Sequence, residues 1–273
     1  IIGGSGSGWN PENPAIKVDV MMGSLLYDGL LNYYFQSENT NPLKEKVFDV
    51  LDGISEFMYH EPYFEGVKKG RQVQWIPYVY NLSDKNKSKH DYKLAGQASF
   101  CIIIPYLFTG EERWIDKAKK MIKTAIIDNE VWGSYGYIDH PGYQTIAYLI
   151  LKNYKVEQVN QANAFKVDYK NGRIYLSWTV PEGVEGYRIK YSNKKIVRYL
   201  QYDTDSKTFK YPPESFINWW SAENIKDEPV PLLPGNTQSY SFVPEHGTYY
   251  FALRTIKGDM VGEISNEVEV EVR

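Results

Sequence analysis

One cysteine and four histidines are all that this 273-residue chain offers to thiol and imidazole chemistry. A single cysteine excludes an intrachain disulfide framework. Cys101 sits inside the apolar run Phe100 to Ile104, the setting of a buried small hydrophobe rather than a nucleophile. His60, His90, His140 and His246 are scattered singly, and no His/Cys/Asp/Glu set has metal-ligand spacing. Neither a metal nor a cofactor is therefore expected. No apolar run approaches the roughly 18 residues of a membrane-spanning helix. Charge of one sign is missing too: the formal net charge is −3 and the pI about 5.9. The longest basic cluster, Lys85 to Lys89, alternates with Asn and Ser and reads as a solvated loop, so no nucleic-acid footprint is expected.

The start, IIGGSGSGWNPENP, carries neither an initiator Met nor a signal peptide, which reads as a processed or truncated N-terminus. Ile-Ile-Gly-Gly imitates an activated trypsin-like protease, but no Gly-Asp-Ser-Gly segment follows. The glycine-serine run lacks the Gly-Lys-Ser/Thr ending of a phosphate loop. Residues 1–15 are read as a flexible lead.

What the chain does have is aromatic residues, 15% of the total, with 24 Tyr and 7 Trp. Such abundance serves both tyrosine-rich cores and the flat faces that bind sugars. The last 110 residues, Ala164 to Arg273, hold the clearest pattern. Arg173 to Thr179, Val184 to Ser192 and Gly247 to Ile256 alternate apolar and polar residues at period two, as half-buried antiparallel strands do. Trp178, then Tyr187, Ile189 and Tyr191, then Tyr249, Phe251, Leu253 and Thr255 follow in order. Gly262, Ser265 and Asn266 precede a last strand at Glu267 to Val272. This series resembles the fibronectin type III sandwich, which implies that Trp178 is the core tryptophan and Tyr249 the tyrosine corner. An insertion at about 198–238 departs from that family. A short helix is expected within it, from about Pro213 to Ala222.

Residues 16–158 read differently. Met21, Met22, Leu25, Leu26, Leu30 and Tyr33 recur at helical steps. Pro42 opens a second helix with Val47, Val50, Leu51, Ile54 and Phe57 on one face. A third helix is expected from about Tyr92 to Phe108, kinked or ended near Pro105, a fourth after Gly110, and a fifth from about Tyr143 to Tyr154. Placing Gly23 over Gly96 also places Tyr33 over Tyr106 and Phe35 over Phe108, an internal repeat of helical hairpins. A hairpin cannot bury its apolar face alone, so repeated hairpins stack. Met22-Gly23-x-Leu-Leu-x-x-Gly-Leu, the Tyr-x-Phe helix ends and Phe108-Thr109-Gly110-Glu111 make this region resemble the α/α-toroid superfamily of six-hairpin glycosidases and polysaccharide lyases. The likeness implies the C-terminal portion of a larger ring, or a shortened relative. The expected fold class is thus α plus β in several domains: a partial toroid-like α/α-hairpin region, then a fibronectin type III-like antiparallel sandwich at 164–273.

In toroids the substrate cleft lies among loops at one end of the hairpins. The long connections are Glu61 to Asp91, with Arg71, Trp75 and Tyr78, and Asn129 to Gln144, with Trp132, Tyr135, Tyr137, Asp139, His140 and Tyr143. Asp139 and His140 pair a carboxylate with an imidazole, and Tyr137 is a phenolic acid. A lyase removes a proton beside a uronate carboxylate and protonates the leaving oxygen, which His and Tyr can do. A hydrolase needs two carboxylates about 5 to 10 Å apart, for which Asp139 with Glu130 or Asp128 is available. Asp139, His140 and Tyr137 are the catalytic candidates. Arg71, Trp75, Tyr78, Trp132, Tyr135 and Tyr143 are the substrate-binding ones. The expected protein is part of a secreted or cell-surface polysaccharide-processing enzyme, lyase or glycosidase, whose partners are an oligo- or polysaccharide and the rest of the ring or other chains. The alternative is a non-catalytic extracellular glycan-binding, adhesion or scaffold module.

Overall fold

Asn41 and Pro42 start a helix for local reasons. The Asn41 side-chain oxygen accepts from the Leu43 amide at 3.0 Å, capping an otherwise orphaned donor, and proline suits the first helical position. The computed structural model describes residues 17–60, 64–68, 70–75, 79–81, 95–132, 141–203 and 208–273. Two compact units are present, one of 1–106, 111–155 and 201–208, the other of 107–110, 156–200 and 209–273.

The first unit holds helices α1 (Val20–Gln36), α2 (Pro42–His60), α3 (Ala95–Thr109), α4 (Glu112–Trp132) and α5 (Pro141–Asn153). Four short strands accompany them: β1 (Lys17–Asp19), β2 (Phe64–Lys68), β3 (Arg71–Trp75) and β4 (Val79–Asn81). The strands were not read from the sequence. β1 pairs antiparallel with β4, and β2 pairs antiparallel with β3, just before which Gly70 has φ 71°. α1 and α2 run antiparallel, because Tyr27 meets Ser55 (3.1 Å between hydroxyls) while Tyr34 meets Phe48 (5.9 Å between rings). The α1–α2 pair lies beside the α3–α4 pair. Tyr27 packs edge-on to Phe100 at 6.0 Å, and Tyr59 edge-on to Trp114 at 5.3 Å.

α3 differs from expectation at Pro105, which lies inside the helix. Residues 98–106 are all buried, and packing on every side outweighs the roughly 3 kcal/mol cost of an interior proline. The repeat does not extend to burial. Tyr33 and Phe35 are 39% and 55% exposed, whereas Tyr106 and Phe108 are buried.

Between α2 and α4 lies a buried charge cluster. Arg113 donates to both oxygens of Glu56, one at 3.0 Å, and its Nε donates to Glu111 at 2.7 Å. The guanidinium also stands over the Trp114 ring at 3.8 Å and the Tyr59 ring at 4.8 Å. Burial alone lowers the Arg113 pKa, but the hydrogen bond and charge of Glu56, with those of Glu111, outweigh it and raise it. His60 Nε2 lies 3.3 Å from Glu56.

The second unit is a sandwich of two sheets. Its strands are β5 (Asn163–Lys170), β6 (Arg173–Thr179), β7 (Gly186–Ser192), β8 (Lys195–Val197), β11 (Phe216–Asn218), β12 (Glu223–Asn224), β13 (Thr237–Phe242), β14 (Gly247–Lys257), β15 (Met260–Val261) and β16 (Val268–Val272), while β9 (Tyr202–Asp203) belongs to the first unit and β10 (Thr208–Phe209) falls at the division. One sheet runs β13-β6-β5. The other runs β12-β7-β14-β15, with β16 also on β14. This is the strand arrangement of a fibronectin type III-like sandwich. Ile174, Leu176 and Trp178 alternate inward from β6 to meet Tyr187, Ile189, Phe251 and Leu253. Trp178 packs edge-on to Tyr187 at 4.9 Å. The Tyr249 hydroxyl donates to the Glu245 carbonyl at 3.2 Å, closing the tyrosine corner.

The other face of β7 and β14 departs from simple alternation. Lys190 and Arg254 are fully buried, because the segment after β7 folds over that face. The expected helix at 213–222 is instead β11, parallel to β8, and a single 3₁₀ turn at Trp219–Ser221. Trp219 is fully buried with Ile196, Ala222 and Ala252. Lys190 and Arg254 each stand 5.4 Å from the Trp219 ring centre, and the Lys190 ammonium donates to the Ala222 carbonyl at 3.4 Å. Trp220 is only half-buried and tilts against Tyr199 at 5.8 Å.

Three outcomes follow for stability. Arg113→Met leaves Glu56 buried without its guanidinium and costs about 3 to 5 kcal/mol, read by urea unfolding with circular dichroism. Trp219→Ala costs a similar ~3 to 5 kcal/mol through the cavity it opens. Gly262→Ala places a methyl against the Thr255 hydroxyl, which itself donates to the Asn160 carbonyl at 2.7 Å; the cost is about 1 to 3 kcal/mol. A wild-type midpoint in any of the three contradicts the corresponding packing account.

A basic groove as the candidate functional site

Two helices present the same local pattern. Lys119, Ile122 and Lys123 on α4 stand at i, i+3 and i+4, and so do Tyr148, Leu151 and Lys152 on α5. That spacing puts each trio on one helix face. With Arg71, the first residue of β3, they line a groove of about 460 Å³. Ile122 is buried at its floor, while Tyr148 is 48% exposed. The Lys152 ammonium stands 5.7 Å from the Tyr148 ring centre. Of the seven described lining residues four are cationic and none is acidic, on a chain whose net charge is −3.

Of the residues expected to form a site, Arg71 is brought into this groove. Trp75 ends β3 opposite Phe64, Trp132 ends α4 and Tyr143 lies in the first turn of α5; of these three only the backbone is described. Tyr78, Tyr135, Tyr137, Asp139 and His140 lie outside the described residues. Sequence reasoning missed Lys119, Lys123, Tyr148, Leu151 and Lys152. The matching i, i+3, i+4 trios are the signal that was available. Among the described residues no group of three or more His, Cys, Asp or Glu could hold a metal ion. No helix among them is long and apolar enough to cross a membrane.

No family model matches the sequence, and no curated protein matches it. Among solved structures, a fibronectin type III-like protein from Clostridium thermocellum is 14% identical with TM-score 0.26, covering 41% of this chain and 91% of that one. Pectate lyase Pel3 from Pectobacterium carotovorum is 13% identical with TM-score 0.25, covering 40% of this chain and 26% of the lyase. The chicken CNTN1 FN1–FN3 domains are 13% identical with TM-score 0.23, covering 41% and 31%. This chain therefore spans about a quarter of the pectate lyase's length. Likenesses this distant carry no argument about activity.

Thiol chemistry does not belong to this site. Cys101 is fully buried in α3, and burial pushes its pKa up to about 12, against a hydrogen bond with Ser24 that lowers it. At pH 8 only about one molecule in 10,000 then carries the thiolate. A thiol-specific reagent should leave the native chain unlabelled and label it after denaturation. Fast labelling of the folded protein would contradict this burial.

Proposed function

We propose that the helical unit holds a glycan in the α4–α5–β3 groove, as part of a secreted polysaccharide-processing enzyme in which the fibronectin type III-like sandwich is an accessory domain. The observation that carries this reading is the groove itself. Its volume lies within the roughly 300 to 1,000 Å³ of small-ligand sites. Ile122, Leu151 and the half-exposed Tyr148 ring supply the apolar faces on which sugar rings rest.

A helical hairpin is the repeating unit of an α/α-toroid, and this unit, with two of them side by side, is read as an arc of such a ring. The outer helices support the reading: α1 leaves Leu25, Leu26 and Tyr33 exposed, and α5 leaves Ile146 and Leu149 exposed, faces that neighbouring hairpins would cover. Chemistry is assigned to Tyr137, Asp139 and His140, which immediately precede α5 in sequence. For a lyase, His140 takes the proton beside the uronate carboxylate and Tyr137 protonates the leaving oxygen; for a hydrolase, Asp139 pairs with Glu130 or Asp128, one protonating the leaving oxygen and the other activating water. A second reading, a non-catalytic glycan-binding module, is favoured by one observation: the described lining holds no Asp, Glu or His.

The test is incubation of the full chain with a panel of neutral and acidic oligosaccharides, following new reducing ends and the absorbance of unsaturated products. The expected result is turnover that His140→Ala and Asp139→Asn abolish while circular dichroism is unchanged. Binding without cleavage selects the second reading. Neither binding nor cleavage overturns both.

A further inference from the structure

We infer that the groove selects acidic glycans, reading carboxylate or sulfate groups through Lys119, Lys123, Lys152 and Arg71; this rests on the reading that it holds a glycan. Four cations converge on one groove with no acidic residue in the described lining, although acidic residues outnumber basic ones in the chain, 34 to 31. Placing like charges together raises the local potential and draws in an anionic partner. The cations come from three walls: α4, α5 and the β2–β3 hairpin. Lys119 and Lys123 are one helical turn apart, about 6 Å along the axis. Lys152 lines the groove from α5 and Arg71 from the β2–β3 hairpin, each adding a charge of the same sign.

The floor supplies the second half of the argument. Ile122, Leu151 and Tyr148 are apolar, so the ligand carries negative groups at its edges and an apolar body between them. A ring of an acidic sugar has this distribution. A nucleic-acid strand asks instead for a basic track with several stacking aromatics, and the described lining has one, Tyr148.

The experiment is calorimetric titration of the full chain with four probes of matched length: an oligouronate, a sulfated oligosaccharide, a neutral oligosaccharide and a single-stranded DNA oligonucleotide. The acidic glycans should bind at least about tenfold tighter than the neutral one. That margin should shrink as salt rises from about 0.05 M to about 0.5 M, where screening becomes short-ranged. The Lys119→Gln/Lys123→Gln double variant keeps good helix formers and should lose about tenfold, ~1.4 kcal/mol, for acidic glycans only. Lys152→Gln, on the opposite wall, gives an independent check if the double variant misfolds. The stronger of the two acidic probes distinguishes carboxylate from sulfate recognition. Equal affinity for neutral and acidic glycans overturns the charge selection while leaving glycan binding intact. Tighter binding of DNA than of either acidic glycan also overturns it. No binding of any glycan removes the underlying reading.

Discussion

Arg113, clasped by Glu56 and Glu111 between two helices, is the interaction on which the helical unit depends. A guanidinium taken from water demands paired acceptors, and three of its donor nitrogens find carboxylate oxygens. Its flat face is covered by Trp114 and Tyr59. The clasp therefore fixes the first turn of α4 against the end of α2. Rigidity in that first turn carries along the helix, so Lys119 and Lys123 are held on a defined face. A site on helices anchored in this way keeps its geometry better than one on loops.

The sandwich solves a different problem. Its inner face is closed by alternating apolar residues around Trp178, while the outer face of β7 and β14 would ordinarily meet water. Here the segment containing β8, β11 and Trp219 covers it, burying Lys190 and Arg254 with their cations near the indole ring. Charge on an indole face is favourable, more so when desolvated. The cost of burying the two side chains is offset in part by this contact and by the Ala222 carbonyl. One sheet face of this unit is thus closed by the chain's own insertion.

Much of this was legible in the sequence, and the reasons are local. Ile174, Leu176 and Trp178 alternate at period two whatever surrounds them, and Tyr249 finds Glu245 only four residues away. Helices α1 to α5 follow from apolar periodicity and from Pro42. What was not legible depends on partners distant in sequence. Alternation in β7 implied a wet polar face, and only the packing of Trp219 and Ala222 over that face encloses Lys190. Pro105 reads as a helix end until α3 is seen to be packed on all sides. Tyr33 and Tyr106 match in sequence yet differ in exposure, because α3 is surrounded and α1 is not. The groove was half visible: both i, i+3, i+4 trios stand in the sequence, but nothing local brings α4, α5 and Arg71 together.

The central claim is that the α4–α5–β3 groove is where this protein meets a glycan. The most direct measurement is the change in amide and side-chain NMR signals of the full chain on addition of an oligouronate. The account predicts shifts concentrated at Arg71, Lys119, Ile122, Lys123, Tyr148, Leu151 and Lys152. Shifts confined to the sandwich, around Trp220 and Tyr199 for example, with the groove residues unmoved, would contradict it.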